Sequence, residues 1–159
     1  MTDISPFLTR LTDPDLKLRH EAVEQLAELA RNDPDPVVPQ IIAALKEADL
    51  NVRWYLGRAL IRTGPSVIPF LTAASEEETE MSVQKYYGAV FAAFGEEIVP
   101  TLIGLFASKN PTTRGMAAAA LEKIGEPSLH SLMEAAKSPN STVKLCAVLT
   151  LAKFQIYDY

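Results

Sequence analysis

Few side chains in this sequence could bind a metal ion or act as a nucleophile. There are two histidines, His20 and His130, and one cysteine, Cys146; His20 precedes an acid, Glu21. A zinc site needs three or four ligands, and a catalytic triad needs a nucleophile, a base and an orienting acid. With only two histidines, most metal sites and triads lack the parts they need, and the sequence has no glycine-rich phosphate loop. We therefore predict that the protein is not an enzyme and holds no metal or cofactor.

The composition narrows the classes of molecule that the protein could bind and the cellular compartment in which it could work. The 159 residues carry a net charge of −5, which argues against binding to nucleic acid or to anionic membrane surfaces. One cysteine permits no internal disulfide, and no apolar run approaches a membrane span. The N-terminus shows no basic segment followed by an apolar run, as a signal peptide would. These features predict a cytoplasmic protein.

An internal repeat organises the rest of the chain. Gly64, Gly95 and Gly125 are spaced 31 and 30 residues apart. Eleven residues before each glycine is a basic or amide residue, and four residues earlier again is an acid or amide. Five such pairs occur: Asp15 with Arg19, Asp49 with Arg53, Glu80 with Gln84, Asn110 with Arg114, and Asn140 with Lys144. A fixed period of this length predicts a repeat architecture.

Each repeat is predicted to contain two helices, A and B. After the basic position, apolar residues follow at helical spacing, as in Leu56, Leu60 and Thr63, in Tyr87, Phe91 and Phe94, and in Ala117, Leu121 and Ile124. The glycine, or Ala30 in the first copy, ends helix A. Helix B carries a proline in its first turn, and the Asp or Asn caps the next helix A. The first copy is longer, which predicts a loop over residues 31–36.

Half-repeats are predicted at both ends. Residues 5–9 match residues 68–72 and form a lone helix B, whereas residues 141 to about 154 form a lone helix A, followed by a tail. Each half-repeat would shield its neighbour, as the caps of a solenoid do. The alternative is a piece of a longer solenoid. The predicted single domain, 1–159, consists of half-repeat 1–12, repeats 13–48, 49–79, 80–109 and 110–139, and half-repeat 140–159.

The residues 51–71, with Val52-Arg53 and Pro69-Phe70-Leu71, and the residues 113–125 resemble HEAT repeats. The 30-residue period is similar to the short HEAT-like repeats of the phycobilisome lyase family. The resemblance implies an all-α fold, an α-solenoid with a right-handed superhelix, in the order B-(AB)4-A. It also implies that Arg19, Arg53, Arg114 and Lys144 pair with acids of neighbouring repeats, with Gln84 as the exception.

Two enzyme families with HEAT-like repeats were weighed against these residues. His20-Glu21 is similar to the iron-binding pairs of deoxyhypusine hydroxylases, but the equivalent positions of the other repeats hold no such pair, so a surface histidine is favoured. DNA glycosylases need a basic channel with aromatic side chains, which this acidic chain does not evidently supply.

Candidate binding residues are those that differ between copies. On helix B the residue after the proline is predicted to point outward, which singles out Phe7 and Phe70; partial burial against neighbouring B helices is the alternative. On helix A of the second copy, Trp54, Arg58 and Arg62 share one face, and lateral packing is the competing interpretation. The acidic run Glu76, Glu77 and Glu78 is either a solvated turn or a site for a basic partner.

The sequence therefore predicts a non-catalytic scaffold or adaptor that binds a protein partner of unknown identity; the oligomeric state is left open. The alternative is an accessory subunit of a phycobilin lyase-like or phycobiliprotein-handling system. A third hypothesis, nucleic-acid binding through Arg53, Arg58 and Arg62, conflicts with the net charge.

Overall fold

The computed structural model describes residues 2–157, and its contacts group the chain into two units, Met1–Ala74 and Ser75–Tyr159. The first unit contains four whole helices: α1 (Ser5–Arg10), α2 (Leu16–Asn32), α3 (Pro34–Glu47) and α4 (Leu50–Thr63). Helix α5 (Ile68–Glu77) spans the boundary between the units.

The second unit contains five whole helices: α6 (Met81–Ala93), α7 (Val99–Gly104), α8 (Pro111–Ile124), α9 (Leu129–Ala135) and α10 (Ser141–Tyr157). Short 3-10 turns lead into α5, α7 and α9 and follow α7: Pro65–Val67, Gly95–Ile98, Glu126–Ser128 and Leu105–Ala107. No strand occurs in the described residues. The predicted fold class, an all-α chain of repeated helix pairs in the α-solenoid class, is confirmed.

The polar residues before the A helices cap them as predicted. The side chains of Asp15, Asp49 and Asn110 accept hydrogen bonds from Lys17 N, Val52 N and Thr112 N at 2.9 to 3.0 Å. Asn140 accepts from Thr142 N and Val143 N. Glu80, which holds the same position without being Asp or Asn, makes no side-chain cap. The caps predicted for the Asp and Asn residues are therefore all four present.

Glycine residues follow helices α4, α6 and α8 at φ values that strain other residues. The φ angles are 99° at Gly64, 70° at Gly95 and 83° at Gly125. The first copy differs from the prediction: α2 continues past the buried Ala30 to Asn32, and α3 begins at Pro34. The predicted loop over residues 31–36 is thus wrong, because Pro34 and Pro36 lie in the first turn of a helix, where proline needs no N–H donor.

In the first unit α2 packs against α4, and α3 fills the space beside both. Leu26, Ile41, Leu45, Leu56 and Leu60 are fully buried there. Burial of such side chains contributes about 1.5–3 kcal/mol each before the entropy of ordering is subtracted. Helix α4 is therefore held on a rigid base, with its opposite face available to solvent.

In the second unit α8 lies between α6 and α10. Tyr87, Phe91, Ala117 and Leu121 are buried as predicted. Two other predicted core residues, Phe94 and Ile124, are only half-buried. Helices α6 and α8 approach closely at Gly88, where an added Cβ would lie 3.2 Å from Met116 Cγ.

Helix α10 packs against α8 and α9, and it continues to Tyr157, beyond the predicted end near residue 154. The last two residues of the predicted tail lie outside the described residues. Among the helices that are described, none combines the length and the hydropathy needed to cross a membrane.

Candidate interaction surface

The repeated basic position on helix A reaches back to the end of the preceding helix B. Arg53 donates to the carbonyl oxygens of Leu45 and Lys46 at 3.0 and 2.9 Å, and Arg114 Nη1 donates to Ser108 O at 2.7 Å. Arg19 Nε donates to Asp13 O. At Arg19 and Arg114 the observed partner is thus a main-chain carbonyl rather than the acid that the resemblance implied. Lys144 is exposed.

Gln84 occupies the same position and performs the same task. Its Nε2 donates to the carbonyl oxygens of Ser75 and Glu78 at 2.8 and 2.9 Å, and the residue is completely buried. The repeated position therefore donates hydrogen bonds to carbonyl groups at the end of the preceding helix B and in the turn after it. Its role is structural.

The acidic run divides into exposed and buried members. Glu76 and Glu77 are exposed, whereas Glu78 is only 4% exposed. The Glu78 carboxylate accepts hydrogen bonds from the N–H groups of Thr79 and Glu80, both at 3.0 Å. The prediction that Glu78 belongs to a solvated partner-binding run is therefore wrong, because its carboxylate serves the turn before α6.

Phe7 and Phe70 are half-buried rather than projecting freely from their helices. This agrees with the alternative of partial burial. The guanidinium of Arg10 lies 5.5 Å from the centroid of the Phe7 ring, so part of that ring is covered within its own helix. Their role in binding stays a prediction.

The surface with the most unusual composition lies on α2 and α4, and we define the α2–α4 patch as His20, Glu24, Trp54, Arg58 and Arg62. Trp54 is 52% exposed, a large fraction for an indole. Its ring meets Tyr55 edge to face at a centroid distance of 5.1 Å, and the Arg58 guanidinium lies 5.7 Å from its centroid. Both contacts hold the indole in place and leave about half of the residue exposed.

The patch contains one paired and one unpaired guanidinium. Arg62 Nε lies 2.7 Å from Glu24 Oε1, with about half of each side chain exposed to solvent. Arg31 Nη1 donates to the Arg62 carbonyl at 2.6 Å and fixes the end of α4. Within the described residues Arg58 has no ion-pair partner. Its N–H donors beyond the indole are therefore available to a carboxylate of another molecule.

Between the two helices is a shallow recess with a volume of about 120 Å³, lined by Val23 and the five patch residues. His20 lines the recess, and the centroid of its ring lies 6.0 Å from the centroid of the Tyr55 ring. The recess is large enough for one or two side-chain groups and far below the several hundred Å³ of a small-molecule site. Its size suits a side chain of a docked protein.

The α4 part of the patch is not repeated in the next helix A. The positions equivalent to Trp54, Arg58 and Arg62 in the next helix A are Lys85, Ala89 and Ala93. The sequence analysis missed Leu16 and Leu50, which are 58% and 62% exposed and precede His20 and Trp54 by four residues. They extend the same helix faces. Their position directly after the capping aspartates Asp15 and Asp49 was the available signal.

The residues first considered for chemistry are not brought together. Among the described residues, no group of three or more His, Cys, Asp or Glu side chains is arranged to hold a metal ion. His20 lies in the patch, His130 is exposed on α9, and Cys146 is half-buried on α10. The iron-site interpretation of His20-Glu21 receives no further ligand from the described residues.

Comparison with known proteins identifies a repeat family. HEAT repeats match residues 4–85 and 68–152. No curated protein matches the sequence significantly. Among solved structures, the crystal structure of an engineered protein is 20% identical and aligns over 96% of this chain and 81% of its own, with a TM-score of 0.34.

Proposed function

Because the chain belongs to the HEAT-repeat family, we propose that it is a non-catalytic adaptor that binds a partner protein through the α2–α4 patch. The observation that carries the proposal is the half-exposed Trp54 beside the unpaired Arg58. Tryptophan and arginine are the residues most enriched where truncation weakens a protein interface. A cytoplasmic location is part of the proposal, since Cys146 permits no internal disulfide.

The geometry supports an interface more strongly than a structural role for Trp54. The core of the first unit is filled by aliphatic side chains, and the indole of Trp54 is not part of it. Covering the exposed half of the ring would remove apolar area from water, and a carboxylate at Arg58 would form a charge-assisted hydrogen bond. The partner surface that fits the patch therefore combines an apolar side chain with an acid.

The remaining predicted binding residues form separate candidate surfaces. Phe7 and Phe70 lie on B helices, and the exposed acids Glu76 and Glu77 would favour a basic partner. These residues stay secondary in the proposal, because the phenylalanines are half-buried and acids at the end of a helix are commonly solvated.

Quantitative affinity capture from a lysate of the source cells tests the proposal. Wild type is compared with Trp54→Ala, Arg58→Ala and Phe70→Ala, and Lys85→Ala is the matched control at the position equivalent to Trp54. We expect one or more proteins to be captured by wild type and Lys85→Ala and lost by Trp54→Ala and Arg58→Ala. Identical captured sets for wild type, Trp54→Ala and Arg58→Ala would refute the patch.

The phycobilin-handling alternative rests on repeat length, and it has its own test. Mixing the protein with a bilin, with and without a phycobiliprotein subunit, should shift the visible absorbance of the pigment if the alternative holds. An unchanged spectrum in both mixtures would remove it.

A further inference from the structure

A second recess lies within the second unit, between helices α6 and α8. Its volume is about 120 Å³, the same as that of the recess between α2 and α4. The buried residues Gly88, Met116 and Ala120 form its base, and Met81, which is 47% exposed, lies at its rim. We define the α6–α8 groove as Met81, Gly88, Ala89, Met116, Ala120 and Lys123.

The groove holds the same place in the repeat register as the recess between α2 and α4. Counted from the repeated basic position, Ala89 corresponds to Glu24 and Lys123 corresponds to Arg62. In the first unit Glu24 and Arg62 form an ion pair at 2.7 Å. In the second unit the cation is kept, but alanine has replaced the acid. The α6–α8 groove therefore has the cation of this pair without its carboxylate.

The charge of the groove is positive. Lys123 is exposed and has no ion-pair partner within the described residues. The adjacent acid, Glu122, is paired with Lys153 at 3.8 Å. The other lysine of the lining, Lys85, already has an aromatic neighbour, since its Nζ lies 5.6 Å from the centroid of the Tyr86 ring. No acid lines the groove, so Lys123 is complementary to a carboxylate of another molecule.

Two methionines give the groove an adaptable apolar surface. Met116 Cγ lies 3.2 Å from the position that a Cβ at Gly88 would take, and Met81 Cε lies 3.9 Å from the corresponding position at Gly115. Gly115 is the equivalent of Trp54, so no large side chain of α8 fills this part of the groove. Methionine is flexible and polarisable, and it is frequent at surfaces that bind varied peptides.

We propose that the α6–α8 groove binds an acidic amphipathic helix of a partner protein. An apolar side chain of that helix packs against Gly88 and Met116, and a carboxylate takes beside Lys123 the place that Glu24 has beside Arg62. Such a helix lays its apolar face into a hydrophobic groove.

The spacing along the groove fits a helix. Gly88 and Lys123 are five positions apart in the repeat register, which is roughly 7 Å along a helix, and residues i and i+4 of a helix span about 6 Å. A leucine followed four residues later by a glutamate therefore reaches both places. The groove is separate from the α2–α4 patch, so each of the two proposals can fail without the other.

Titration of the isotope-labelled full chain with synthetic peptides, followed by NMR, tests the proposal. The probe is an alanine-based helical peptide of about 15 residues with blocked ends that contains Leu-Ala-Ala-Ala-Glu. We expect it to shift the amide signals of Gly88, Ala89 and Lys123, with a dissociation constant of about 0.1–1 mM. A peptide with lysine in place of the glutamate, and one with alanine in place of the leucine, should bind about fivefold more weakly or less.

Two variants test the charge of the groove. Lys123→Glu should raise the dissociation constant of the acidic peptide about tenfold, because attraction becomes repulsion. Lys109→Glu is the matched control, an exposed lysine outside the groove with the same change in net charge, and should bind like the wild type. Ala89→Glu places an acid where α2 has Glu24 and should also weaken binding. Ala89→Gln adds similar bulk without the charge and should weaken it less.

The NMR spectrum of each variant shows whether it is folded, and Lys123→Gln replaces Lys123→Glu if the latter is not. Unchanged groove signals at the highest concentration of the acidic peptide would overturn the proposal. Equal affinity for the acidic and the lysine peptide, or of the wild type and the folded Lys123 variant, would also overturn it. Shifts confined to the α2–α4 patch would overturn this proposal and leave the proposed function standing.

Discussion

The side-chain nitrogen of Gln84 lies 2.8 Å from the carbonyl oxygen of Ser75, at the place where other repeats use an arginine. Arg53 and Arg114 donate to carbonyl oxygens at the equivalent helix ends. A neutral amide suits a site with no solvent exposure, because a buried guanidinium would need a compensating charge. The repeated position is thus defined by donating hydrogen bonds and not by positive charge.

Replacing Gln84 with alanine should destabilise the fold by about 1–3 kcal/mol, since it removes two buried donors and leaves a cavity. The loss of stability is limited because each carbonyl oxygen keeps another donor. Thr113 Oγ1 donates to Ser75 O, and Thr112 Oγ1 donates to Glu78 O. Urea unfolding followed by circular dichroism measures the change. Gln25→Ala, at an exposed glutamine, should cost far less; equal losses would contradict the structural role.

Gly64→Ala should lower the free energy of unfolding by about 1–2 kcal/mol, because the φ angle of 99° is strained for alanine. No neighbouring atom lies within 4 Å of the added Cβ, so backbone strain is the whole effect. Gly104→Ala provides the matched comparison. Gly104 is also uncrowded but has φ −58° at the end of α7, so alanine there should stabilise by up to about 1 kcal/mol. Thermal unfolding should therefore shift in opposite directions for the two variants.

Asn110→Ala should cost about 1–2 kcal/mol more than Asn140→Ala. Both side chains cap a helix, but Asn110 Nδ2 also donates to the carbonyl oxygens of Glu76 and Glu78 at 3.1 and 2.6 Å. Asn110→Asp keeps the cap and loses those donors, so its stability should fall between that of the alanine variant and that of the wild type. Equal costs for the two alanine variants, measured in urea, would show that the additional bonds contribute nothing.

Glu24→Gln should change stability by less than about 1 kcal/mol, because the Arg62–Glu24 pair is half exposed and water screens it. Any loss should shrink further when unfolding is repeated at high salt. A loss of several kcal/mol would mean that this pair holds α2 and α4 together. The patch would then be a structural contact and not a binding surface.

The sequence predicted the helix pairs, most caps and the glycine ends because these depend on local spacing. It could not show that Glu78 is buried, since a run of acids looks alike whether its members face solvent or fold back onto backbone N–H groups. The role of Gln84 was also hidden, because its carbonyl partners are separated from it by a turn. Pro34 and Pro36 suggested a loop, although both begin a helix.

The candidate surface was only partly predictable. Trp54, Arg58 and Arg62 were found as one face of α4, but their neighbours on α2, His20 and Glu24, require knowledge of how two helices pack. The exposure of Leu145, Val148 and Leu149 on α10 was not predicted, because sequence alone does not show which side of an apolar helix is covered.

Photo-crosslinking at position 50, beside Trp54 on the same face of α4, tests the central claim most directly. Benzoylphenylalanine replaces the exposed Leu50 in one variant and Lys137, an exposed residue just after α9, in the control. We expect irradiation in lysate of the source cells to link position 50 to the protein captured by wild type, and Arg58→Ala to abolish the link. A captured partner that crosslinks equally at both positions, or at Lys137 alone, would contradict the claim.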